Sequence, residues 1–97
     1  MRLRDEQRRL IVDTARRMLG ADVKVSLFGS RVDDQAKGGD VDLYVEMPRA
    51  PGIWRQAQVM AQLEKVLGLP VDLLVRATDE AETPIQRIAH LTGVALT

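Results

Sequence analysis

Phe28-Gly29-Ser30-Arg31 and, with nine residues between Ser30 and Asp40, Gly39-Asp40-Val41-Asp42-Leu43 are the stretches on which the fold turns. A glycine at the end of an apolar run permits a sharp turn and lets a ligand approach backbone N–H groups, and Ser30 adds a hydroxyl beside it. In an extended strand alternate side chains share a face, so Asp40 and Asp42 point one way while Val41, Leu43 and Val45 point the other. Two adjacent carboxylates are unfavourable unless a positive charge joins them. Magnesium suits such a pair, because it takes hard oxygen ligands and completes its shell with substrate phosphates and water. A third carboxylate, Asp72, lies in Val71-Asp72-Leu73-Leu74-Val75. If that segment is a strand beside the first, Asp72 reaches the pair across roughly 5 Å. The competing reading is a solvated polar strand face, since Tyr44 and Glu46 share the side of Asp40 and Asp42.

Working outward, Val23 to Phe28 is rich in β-branched and apolar residues and reads as a strand, followed by a second from Asp40 to Met47. Leu3, Leu10, Ile11, Thr14, Ala15 and Met18 recur at helical spacing, and Gly20 ends that first helix. After Pro51-Gly52, the residues Ile53, Ala57, Met60, Leu63 and Leu67 mark a second helix ending at Gly68. Pro70 precedes a third strand, Val71 to Arg76. Thr83-Pro84-Ile85-Gln86 is a capping-box pattern opening a helix that runs to Gly93. Residues 32–39 and 77–82 read as loops. The order is α-β-β-α-β-α: an α/β (α+β) fold with a small mixed sheet flanked by helices, in a single domain over 1–97.

Lysine plus arginine (14) balance aspartate plus glutamate (14), so no general attraction to nucleic acid or to an anionic membrane is expected, and phosphate affinity must be local. Cysteine is absent, which excludes disulfides and thiolate metal sites and fits a reducing compartment. No run approaches the roughly 20 apolar residues of a membrane span, and the reading is a soluble cytoplasmic protein. His90 stands alone on a helix and reads as a structural or surface residue. The arginines of the first helix are interleaved with Asp5, Glu6 and Asp13 and read as a solvated face or partner contact. Trp54 reads as partly buried packing.

The three motifs together resemble the nucleotidyltransferase fold of the DNA polymerase beta superfamily, and the short chain is similar to its minimal members, the prokaryotic minimal nucleotidyltransferases that pair with α-helical HEPN toxins. The likeness covers Val25 to Arg76, with one residue fewer between Ser30 and Asp40 than many relatives carry. It implies that Gly29 and Ser30 hold a nucleoside triphosphate; Arg31 beside them is a candidate phosphate contact because arginine binds phosphate in bidentate fashion, the alternative being a solvated arginine after a turn. Asp40 and Asp42 would bind the metals, and Asp72 would complete the metal site on the base side. It further implies ATP as donor, Mg2+ as metal, and a HEPN toxin as acceptor and hetero-oligomeric partner, neutralised by nucleotidylation. Contact-only neutralisation and transfer to a small molecule remain the alternatives.

Overall fold

The computed structural model of the protein describes residues 4–28 and 41–97. Helix α1 (Asp5–Leu19) begins with Asp5 and Glu6 and ends with Arg16 and Arg17, charges that complement the helix dipole at each end. The Arg4 N–H donates to Gln7 Oε1 at 2.9 Å, satisfying one orphan group of the first turn. Strand β1 (Lys24–Phe28) runs antiparallel to β2 (Val41–Met47), and helix α2 (Ile53–Leu67) carries the chain over to β3 (Val71–Ala77), parallel to β2. Gly68 ends α2 in the left-handed region, at φ 69°, where a side chain would be strained. Helix α3 (Pro84–Thr92) leads to a two-residue strand β4 (Val94–Ala95), which pairs antiparallel with β1. The sheet order is β3-β2-β1-β4. β4 extends the order expected from sequence; with two residues it is too short for any period-2 signal.

Period-2 alternation divides the sheet into two faces. Val25 and Leu27 of β1, Val41, Leu43, Val45 and Met47 of β2 and Val71 of β3 pack with Ile11 and Ala15 of α1 and Val59 and Leu63 of α2 to form the core. The buried stripe of α2 differs from the expected one. Val59 and Leu63 are buried and Met60 and Leu67 pack against the core, whereas Ile53 is 79% exposed and Ala57 is also exposed. Trp54 is 82% exposed rather than packed, because the first turn of α2 projects beyond the core that receives its later turns.

The other face carries α3. Its capping box forms as read: the Gln86 N–H donates to Thr83 Oγ1 at 3.3 Å and the Thr83 N–H to Gln86 Oε1 at 2.9 Å. The helix crosses the strands. Gln86 Nε2 donates to the Val75 carbonyl at 3.3 Å, the His90 ring centroid lies 6.5 Å from that of Tyr44, and Gly93 abuts Ser26 and the Leu27 carbonyl. Tyr44 is therefore only 1% exposed, and the solvated-face reading fails at the middle of β2.

Candidate active site

Strand register arranges the α3 face in three rows. Phe28, Asp42 and Asp72 align across β1, β2 and β3; Ser26, Tyr44 and Leu74 form the next row; Lys24, Glu46 and Arg76 form the third. Because α3 lies over the middle row, it separates the aspartates from the Glu46–Arg76 pair.

The first row borders an open groove of about 350 Å³ whose walls include Phe28, Asp42, Asp72, Leu74, Met60 and Ile85. Neighbouring parallel strands stand about 4.8 Å apart. Register partners on one face thus bring the Asp42 and Asp72 carboxylates to the same ledge. The start of β3 is fixed on both sides: the Val41 N–H donates to the Pro70 carbonyl at 2.8 Å, and the Val71 N–H to Glu64 Oε2 at 2.9 Å. Asp42 is half-buried and Asp72 exposed, so the ledge opens to solvent at its outer edge. Among the residues expected at the site, the fold brings Asp42 and Asp72 together. Gly29, Ser30, Arg31 and Asp40 lie outside the described residues.

The third row went unread in the sequence. Arg76 Nη1 donates to Glu46 Oε2 at 2.6 Å and lies 3.8 Å from Glu82, while His90 Nδ1 is 3.0 Å from Glu82. Glu46, Glu82 and His90 bring a ligand atom each within 4.8 Å of one another. That grouping already contains its cation in Arg76, and hydrogen bonds from Arg76 to the Glu80 carbonyl tie it to the loop before α3. Burial opposes the Arg76 charge, but Glu46 and Tyr44 together outweigh it and hold the guanidinium charged even more firmly than usual. Burial, then the charge of Glu46, pushes the Tyr44 hydroxyl above its ordinary range, although Arg76 acts in the opposite sense. The Tyr44 hydroxyl makes no hydrogen bond of good geometry among the described residues. A signal for this network was present: Glu46 and Arg76 each follow an aspartate by four residues in the two parallel strands, a same-face spacing with opposite charges.

A second hollow of about 350 Å³ runs along α1 between Asp5, Arg8, Arg9, Asp13, Arg16 and Leu96. Its arginines are interleaved with aspartates and leave a single excess positive charge, so it presents a solvated face rather than a strongly basic site.

Comparison with known proteins agrees with this layout. No curated protein sequence matches the chain. A crystal structure of the MntA-HepT toxin-antitoxin superposes with a TM-score of 0.76 at 18% identity, over 97% of this chain and 72% of the other. A structure of the tri-AMPylated Shewanella oneidensis HEPN toxin in complex with MNT antitoxin gives a TM-score of 0.77 at 19% identity, over 98% and 72%. At such identities these likenesses establish a shared fold. The profile of the nucleotidyltransferase domain matches residues 8–92, which includes the aspartates of the first row, and the chain belongs to the nucleotidyltransferase domain family.

Proposed function

We propose that the protein is a magnesium-dependent nucleotidyltransferase that moves AMP from ATP onto a HEPN toxin and thereby acts as its antitoxin, with Asp42, Asp72 and Asp40 as metal ligands and Gly29, Ser30 and Arg31 at the triphosphate. The observation that carries this reading is the register pairing of Asp42 with Asp72 on the ledge of the groove. The donor set suits magnesium: hard carboxylate oxygens from neighbouring strands, open to solvent on the side where phosphates and water would complete the shell. When bound, the metal neutralises charge on the phosphates and lowers the pKa of an attacking hydroxyl.

The chain's own residues do the rest. Asp42, partly withdrawn from solvent, would hold the metal beside the triphosphate, and Phe28, Met60 and Leu74 supply apolar wall to the groove. Asp72, the exposed carboxylate, takes the proton of the acceptor hydroxyl. The hydroxyl oxygen bonds to the α-phosphorus as the bond from that phosphorus to the bridging oxygen breaks, and pyrophosphate leaves with that electron pair. The protein acceptor is supported by the fold's likeness to chains from toxin-antitoxin complexes, one with an AMPylated toxin.

Co-expression with the cognate HEPN protein, followed by intact mass spectrometry of that protein, tests the reading. AMP additions are expected with the parent and a loss of at least a hundredfold with Asp42→Asn, which keeps the side chain's shape and removes its charge. An unmodified but inhibited partner, equally inhibited by Asp42→Asn, would move the assignment to a non-catalytic antitoxin.

A further inference from the structure

The large apolar side chains of α3 are not the ones it buries. Ala89 is its buried residue, whereas Ile85 is 59%, Ile88 61% and Leu91 69% exposed. Residues at three-residue steps are neighbours on the helix surface, so these three form one row. Single apolar residues on a surface are ordinary, but a row of them along one helix is the pattern of a contact face. The row starts at the candidate active site, since Ile85 lines the groove that contains Asp42 and Asp72. From Ile85 to Leu91 it runs across the sheet from the β3 side toward β1 for about 9 Å, at 1.5 Å per residue. A nucleotide seated in the groove has no use for that extension. A macromolecule that must present a hydroxyl over the ledge does.

We propose that Ile88 and Leu91, continuing from Ile85, are the docking face for the protein acceptor. The partner that fits is a helical protein with an exposed apolar strip and a hydroxyl side chain near the end of the strip that meets Ile85, and the occupant is the HEPN protein of the proposed function, since the fold's relatives come from toxin-antitoxin complexes. The proposal rests on the transferase reading above and adds where the acceptor sits. Helix α3 thus serves both sides of its position: its sheet-facing side is held by Gln86 and buried at Ala89, and its free side guides the acceptor toward the carboxylates.

The test uses the full chain with the cognate HEPN protein and two double variants, Ile88→Asp with Leu91→Asp, and the milder Ile88→Ser with Leu91→Ser. Both positions are exposed, so the fold tolerates them. The expected result is loss of co-purifying HEPN protein and AMP transfer at least tenfold slower, with magnesium-dependent ATP binding within twofold of the parent. Parental complex formation and transfer in both variants would overturn the docking face. So would a parent that dimerises through this row, becoming monomeric in the variants while partner binding is unchanged. If the parent itself binds no ATP with magnesium, the transferase reading fails, and loss or retention of the complex still decides the docking face.

Discussion

Asp42, Asp72 and Tyr44 sit within two adjacent rows of one sheet face, yet they differ in how visible they were from sequence. The aspartates stood out as candidates because aspartate is depleted in strands and each is flanked here by valine and leucine. Tyr44 was not, because alternation assigns it to the polar side without saying that a helix crosses that side. Its burial has two measurable consequences. The hydroxyl loses water and makes no hydrogen bond of good geometry among the described residues, with only the nearby Arg76 charge acting on it, so Tyr44→Phe should change stability by no more than about 1 kcal/mol in urea unfolding. The direction of its pKa fixes the alkaline behaviour. Above the ordinary value of 10.0 the unfolded chain gives up the tyrosine proton while the folded one still holds it, so stability is complete below that pH and falls as pH rises toward the folded value. As Tyr44 is the only tyrosine, a tyrosinate absorbance titration reports it directly, and Tyr44→Phe should flatten the alkaline loss. A titration midpoint below 10.0 in the folded protein would contradict the burial account.

At the scale of elements, helix starts and stops were the most legible features, since Thr83, Pro84 and Gln86 or Gly68 and Pro70 act locally whatever the tertiary context. Which side of a helix is buried was less so. Ile53 and Ala57 follow the same period as Leu63, and only the extent of the sheet beneath α2 decides where that stripe stops being covered. The turn from α3 into β4 depends on Gly93 through space rather than through its dihedral angles. A Cβ there would lie 2.6 Å from the Ala89 carbonyl oxygen and 3.3 Å from that of Leu27, both backbone atoms. Gly93→Ala should therefore push α3 off β1 and cost about 1–3 kcal/mol, read as a lower melting temperature. An unchanged melting temperature would mean that α3 sits more loosely over the sheet than described.

For the whole molecule, the division of labour between sheet faces lets one small sheet carry both a core and a candidate site. Helices α1 and α2 take the apolar face and supply the burial that stabilises the fold. The opposite face, crossed among the described residues by α3, holds charged rows on either side of one buried tyrosine. The order α-β-β-α-β-α and the mixed sheet were readable from period and punctuation. The path of α3 and the pairing of β4 were not, because both are fixed by contacts between segments far apart in the chain. The central claim is that the ledge formed by Asp42 and Asp72 exists to receive a metal-bound nucleotide. Isothermal titration calorimetry of ATP against the parent and Asp72→Asn, with and without magnesium, tests it most directly. The account predicts ATP binding to the parent at least tenfold tighter with magnesium than without, and loss of that difference in Asp72→Asn while its melting temperature without ligand holds; equal binding with and without magnesium, or none at millimolar ATP, would contradict it.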